Sequence, residues 1–175
     1  MADDNPTRRL GIGMTIAMWL VLLALLTFFF QRWDERRNNP NMSPVSRVTD
    51  TGVRELVLKR NYAGHYVASG SIDGQAVVFM LDTGASDIAI PAELADRLAL
   101  QRGPAQVYRT ANGPVQVFAT RLDRVAIGAI TLHDVRASIN PAMHNQEVLL
   151  GMSFLKHLEF SQRGDRLTLR QYVTP

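Results

Sequence analysis

Asp82 stands out by its surroundings. In Phe79-Met80-Leu81-Asp82-Thr83-Gly84-Ala85-Ser86, three bulky apolar residues run straight into a carboxylate. An apolar run this tight reads as a buried strand. A charge at the edge of a core must be paired, hydrogen-bonded or neutralised by a proton, because leaving it bare is costly. Thr83 and Ser86 bring hydroxyls, and Gly84 lets backbone N–H groups approach the acid. Asp82 is therefore either a turn cap that accepts backbone hydrogen bonds or an acid–base group with a tuned proton.

Other chemistries find less support. The chain has no cysteine, which excludes disulfides, a thiol nucleophile and zinc sites built on thiolates. His65, His133, His144 and His157 lie 11 or more residues apart, so none has the helical spacing of a metal-ligand pair. No motif calls for a metal or a cofactor. Gly151-Met152-Ser153-Phe154-Leu155 is not a nucleophile elbow, since Leu155 stands where the second glycine belongs. The net charge of +3 is unevenly placed. Residues 1–49 hold six Arg against four acids, while residues 50–175 hold thirteen Lys/Arg against twelve acids. The body is thus nearly neutral. Without a basic stripe interleaved with aromatics, nucleic acid is not an expected partner.

The elements that must position Asp82 follow from patterning. Residues 1–9 form a short polar tail ending in Arg8-Arg9. Residues 10–30, from Leu10 to Phe30, carry no charge over 21 residues, enough to span the roughly 30 Å hydrocarbon core of a bilayer as a helix. This stretch exceeds a signal peptide's apolar region, and Arg32-Trp33 follows it in place of a small-residue cleavage site. An uncleaved anchor with a lipid bilayer as partner is the expectation. Arginines flank the span on both sides, so the positive-inside rule does not fix its orientation. Residues 31–49 are polar, with Asn38-Asn39-Pro40-Asn41 and Ser43-Pro44, and read as a linker.

Residues 50–175 form the body. Asp73-Gly74 is a hairpin signal between His65–Ile72 and Gln75–Leu81. Pro91 precedes a short amphipathic helix over 92–98, with Leu94 and Leu98 four apart. Gln106–Phe118 reads as strand, turn at Asn112-Gly113, strand. Leu122–Ile127, Val135–Ile139 and Val148–Leu150 add strands, Met152–Leu158 one or two helical turns, and Asp165–Arg170 a closing strand. Many short strands with few helices indicate a mostly-β barrel or sandwich.

Two features of this layout carry a resemblance. Leu81-Asp82-Thr83-Gly84-Ala85-Ser86, with Leu149-Leu150-Gly151-Met152-Ser153-Phe154-Leu155 downstream, resembles the retropepsin-like aspartic proteases over roughly residues 50–172. It is similar in particular to the small single-pass membrane members found in proteobacteria. The resemblance implies a single-lobe closed β-barrel, mostly β with one or two short helices, preceded here by one transmembrane helix. It implies Asp82 as the catalytic residue. The Asp-Thr-Gly triplet recurs as Asp50-Thr51-Gly52, but the full Leu-Asp-Thr-Gly-Ala-Ser after an apolar run occurs once, so an active enzyme is expected to be a homodimer that uses Asp82 twice, hydrolysing peptide bonds of a polypeptide substrate near a membrane through a water held between two carboxylates.

Supporting roles follow from the same resemblance. Thr83 is expected to hydrogen-bond across the dimer, Gly84 to admit backbone N–H groups and Ser86 to bond the outer carboxylate oxygen. Ala85 completes the loop, and Leu150 with Gly151 packs beside it. The candidate flap runs from Tyr108 through Thr110, Ala111, Asn112 and Gly113 to Phe118. Family dimers share a sheet of terminal strands, for which Glu55–Lys59 and Leu167–Gln171 are candidates. The family also favours the bacterial inner membrane, with the protease domain periplasmic. The rival reading is a catalytically silent peptide-binding or dimerisation module on the same fold.

Overall fold

The computed structural model describes residues 6–110 and 113–172. It divides into two compact units, one ending at Arg37 and one beginning at Asn38. The first is a helix, α1, running Pro6–Asn38. Its segment Gly11–Asn38 is long and apolar enough to cross a membrane. Leu20, Leu23, Phe28 and Phe29 are all exposed on it. A helix that is hydrophobic all round has no single stripe to lay on a soluble core.

The stretch 31–49, expected to be a polar linker, takes on structure. Helix α1 continues to Asn38, and β1 forms over Val45–Val48. Asn39 and Asn41 between them are buried. The Asn41 side-chain amide donates to Val67 O at 2.6 Å and Lys59 O at 2.9 Å, while its Oδ1 accepts Lys59 N–H at 2.8 Å. Asparagine composition is read as linker because its side chain competes for backbone partners. Here those partners belong to neighbouring strands, so the residue staples the chain down.

The second unit is built mainly of strands. β3 (Val67–Ile72) and β4 (Gln75–Leu81) form the expected hairpin, closed by Asp73 and Gly74 at φ 49° and 83°. Both signs suit the primed turn that matches strand twist. β5 (Ile88–Pro91) leads into α2 (Ala92–Arg97), whose Leu94 and Ala95 are buried. β6 (Ala105–Thr110) and β7 (Gly113–Ile127) make the hairpin that contains the candidate flap. β7 is one unbroken strand through Leu122–Ile127, because β8 (Ile130–Asn140) pairs along most of its length. β9 (Val148–Leu150), α3 (Met152–Leu155), β10 (Glu159–Arg163) and β11 (Arg166–Gln171) complete it.

One sheet has the order β3-β4-β9-β5-β8-β7-β6, and β3 also pairs with β7 through Ser71↔Ala126 and Ile72↔Val125. That second pairing closes a barrel. Inside it lie Phe79, Ile88, Ile90, Leu122, Ile127 and Ile139, all fully buried. Closing the sheet leaves fewer raw edges than an open one.

A second sheet has the order β1-β2-β11-β10, with β2 spanning Arg54–Lys59. The two terminal strands proposed for a shared dimer sheet pair with each other inside one chain, in register Leu58↔Leu167 and Leu56↔Leu169. All four leucines are buried. Neither strand therefore offers a free edge; the free edges are those of β1 and β10.

Candidate active site

Asp82 leaves the end of β4 as the chain turns out of the barrel. The strand before it is held on both sides. Leu81 N–H donates to Tyr66 O at 2.9 Å, and Asp82 N–H to Leu150 O at 3.2 Å. β9 lies parallel to β4, with Met80↔Leu149 and Leu81↔Leu150 side by side. The second apolar-apolar-Gly element thus adjoins the first at the residue that precedes the acid.

The loop Asp82–Asp87 is braced from below. Gly84 N–H donates to Asp82 Oδ1 at 2.9 Å, and Ala85 N–H to Asp82 O at 3.3 Å. Met152 N–H and Ser153 N–H donate to Ala85 O and Ser86 O at 2.8 and 2.9 Å. The orphan N–H groups at the start of α3 thereby find their acceptors in the loop. Gly151 makes this possible: a Cβ there would lie 2.2 Å from Asp87 O and 2.6 Å from Ala85 O.

Ser153 adds a buried clasp. Its hydroxyl donates to Arg136 O at 2.8 Å and accepts Ile88 N–H at 3.0 Å, tying α3 to β5 and β8. Removing a buried hydroxyl that serves two backbone groups leaves both unsatisfied. Ser153→Ala is expected to cost about 2 kcal/mol in urea unfolding, a typical penalty for such groups.

Two residues, Asp87 and Arg136, have no place in the sequence reading of the site. Asp87 is only 2% exposed and belongs to a charged cluster. Arg136 on β8 reaches its Oδ1 through Nε at 2.7 Å and Nη2 at 2.6 Å. The Tyr108 hydroxyl, from the flap strand β6, donates to Oδ2. Burial and the Asp87 carboxylate push the Tyr108 phenol up to about 12. A local signal existed for Asp87, an acid abutting the apolar Ile88-Ala89-Ile90, but none announced a partner 49 residues away.

The protonated phenol is favoured in the fold, so its contribution is complete below the ordinary tyrosine pKa of about 10 and is lost as pH rises from there towards 12. The wild type should lose stability across that window, and Tyr108→Phe should remove the extra slope. Ultraviolet titration should show one phenolate missing from the variant's most alkaline step.

These groups share a cleft of about 790 Å³, lined among others by Asp82, Gly84, Tyr108, Arg136, Ser138 and Leu149. Asp82 is half-buried at its wall, and Thr83, Gly84 and Ser86 are exposed. No bond links Ser86 to Asp82 among the described residues; the carboxylate contact observed comes from Gly84 N–H. In the candidate flap, Thr110 pairs with Gly113, and the Thr110 hydroxyl donates to Gly113 O at 2.8 Å. Gly113 therefore belongs to the strand ladder, and the expected tip residues Ala111 and Asn112 lie outside the described residues.

Comparison with known proteins agrees with this geometry. Residues 68–157 match the family described as gag-polyprotein putative aspartyl protease. An uncharacterised protein of the cobV 5′ region of a Sinorhizobium species is 35% identical over 177 residues, covering 93% of this chain and 75% of that protein. An uncharacterised protein of Rickettsia prowazekii is 29% identical, covering 82% of this chain and 64% of its own length. A crystal structure of a retropepsin-like aspartic protease from Rickettsia conorii superposes with a TM-score of 0.56 at 26% identity, covering 74% of this chain and 95% of that one. The chain belongs to the retropepsin-like aspartic protease family.

Proposed function

We propose that the chain is an aspartic endopeptidase whose active centre forms between two copies, each supplying Asp82. The observation that carries this reading is the placement of Asp82: a carboxylate on a braced loop, half-buried at the wall of a cleft that the β6–β7 hairpin also lines, and outside the ion pair that engages Asp87. A cap needs no such cleft. The reading takes its second carboxylate from symmetry, since a two-fold axis presents the same surface of both copies.

The chemistry follows from proximity. Two neighbouring carboxylates do not both ionise readily, so they share one proton and titrate as a pair. The charged member takes a proton from water, and the water oxygen attacks the carbonyl carbon of the scissile bond. The protonated member gives its proton to the carbonyl oxygen, forming a neutral tetrahedral diol. Collapse breaks the C–N bond, passes a proton to the leaving amine and returns the pair to one shared proton.

The remaining loop residues serve this pair. Thr83, exposed at the loop's outer face, braces the second copy's loop. Gly84 holds Oδ1, and Leu150 with Gly151 fixes the loop's height. The hairpin Tyr108–Phe118 closes over substrate and excludes water. Its Tyr108–Asp87 bond latches the flap strand to the loop. Tyr108→Phe should lower kcat/KM about tenfold, in line with the loss of one hydrogen bond to a charged group.

Residues 10–30 anchor the enzyme in the bacterial inner membrane, with the body on the periplasmic side and membrane-proximal polypeptide as substrate. A shared bilayer raises the local concentration of copies and favours pairing. An assay of the full chain on unfolded protein at mildly acidic pH tests the activity, read as fragments by mass; intact substrate would overturn it. A reporter fused after Pro175 tests the side, and a reporter active only in the cytoplasm would overturn the periplasmic placement.

A further inference from the structure

Ser138 lies in β8 with its side chain almost wholly buried, at 1% exposure. Its hydroxyl has no hydrogen-bond partner among the described residues. A buried hydroxyl left so is costly, and the fold gains nothing from it.

The surroundings explain why the chain does not serve it. Strand alternation sends Val135, Ala137 and Ile139 into the core, while Arg136, Ser138 and Asn140 border the cleft that holds Asp82. Directly across from Ser138 stand Ala89 on β5 and Ala119 on β7, which offer only methyl groups. Along the strand, Arg136 is engaged by Asp87, and Asn140 Oδ1 accepts Ala142 N–H at 2.9 Å. The Tyr108 hydroxyl, on the hairpin that lines the same cleft, is also committed to Asp87. Ser138 thus brings the cleft one uncommitted donor and two acceptor lone pairs.

We propose that Ser138 is a specificity-determining residue, whose hydroxyl exchanges a hydrogen bond with an uncharged polar side chain of the substrate (Ser, Thr, Asn or Gln) seated beside Ala89. The inference rests on the reading of this cleft as the substrate site of an aspartic endopeptidase and names the kind of side chain that the site selects. The small side chain of Ala89, itself on the cleft wall, leaves space next to the hydroxyl. In a site shut from bulk water the bond discriminates well, because an analogue that lacks the polar group leaves Ser138 unpaired again. A charged side chain is not expected. One neutral hydroxyl does not offset the cost of burying a charge, and Arg136 is already balanced by Asp87.

Paired peptides test this. The members of each pair differ at one position by a near-isosteric exchange, Thr for Val or Asn for Leu, placed in turn at each position flanking the scissile bond. The full chain carrying Asp82→Asn binds them without turnover, and the wild-type chain cleaves them. At one position Thr should be preferred over Val, and Asn over Leu, by about tenfold, the effect of one hydrogen bond in a dry site. Adding Ser138→Ala to either chain should bring that ratio to about one and leave the ratios at other positions as they were.

Stability supplies a readout that a structural serine would move the other way. Since the Ser138 hydroxyl bonds nothing in the fold, Ser138→Ala should keep the wild-type urea midpoint or raise it. Ser153→Ala, which removes a bonded hydroxyl, should lower it. A clearly lower midpoint for Ser138→Ala overturns the proposal. So does a ratio near one at every position when Ser138 is present, or a preference that survives Ser138→Ala. Binding to the Asp82→Asn chain does not depend on turnover, so the selectivity of Ser138 and the catalytic reading fail separately.

Discussion

If Asp82 is the catalytic acid proposed above, Asp82→Asn is expected to abolish peptide-bond hydrolysis, with a fall in rate of about a thousandfold or more, corresponding to at least about 4 kcal/mol of transition-state stabilisation. The substitution keeps the shape of the side chain and leaves an acceptor for Gly84 N–H. What it removes, on the proposed mechanism, is the proton that two carboxylates share. The fold should therefore survive, and circular dichroism and thermal melting should match the wild type while initial rates collapse. A variant that cleaves at the wild-type rate would show that another group does the chemistry.

The second large effect is on stability. Gly151→Ala places a methyl group 2.2 Å from Asp87 O and 2.6 Å from Ala85 O, and both obstacles are backbone. No side chain can swing away to make room. Either α3 or the Asp82–Asp87 loop must shift, and a shift of either breaks the bonds from Met152 and Ser153 N–H to Ala85 and Ser86 O. Overpacking combined with lost hydrogen bonds should cost about 4 kcal/mol, at the extreme of single substitutions. Urea unfolding would show this as a lower midpoint with an unchanged slope. A change below about 0.5 kcal/mol would mean that the loop and α3 yield far more easily than their bonding indicates.

Much of this architecture was legible because its signals are local. The Asp73-Gly74 turn declares itself through residues that tolerate positive φ, and the structure places both there. Val77 and Phe79 point inward by simple alternation. The α2 stripe of Leu94 and Leu98 needs only helical spacing, and both are buried. The adjacency of Leu81-Asp82 to Leu150-Gly151 is not local, and it could be anticipated only through a resemblance.

What escaped the sequence depends on long-range partners. Asn39 and Asn41 carry linker composition, and nothing nearby shows that Val67, Lys59 and Ser69 will take their hydrogen bonds. Arg136 alternates with the inward Val135 and Ala137, as any solvent-facing residue would; its bond to Asp87 appears only once β8 lies beside β5. Likewise β2 and β11 read as strands, but not as partners of each other. With β1 and β10 on their outer sides, neither strand keeps a free edge in the single chain for the shared sheet expected of it.

The Asp87 cluster links the flap to the loop in physical terms. A carboxylate that is 2% exposed needs compensation, and Arg136 and Tyr108 both provide it. If the β6–β7 hairpin opens as proposed, it withdraws one of the two.

The central claim is that one Asp82 is insufficient and two act together. Wild-type chains and Asp82→Asn chains, mixed in equal amounts and allowed to exchange to equilibrium at constant total concentration, test it most directly. If each active centre needs both carboxylates, activity falls to about a quarter, the share of dimers with two wild-type copies under random pairing. If activity falls only to about half, in proportion to the wild-type chains present, a single Asp82 suffices and the account of a shared site is contradicted.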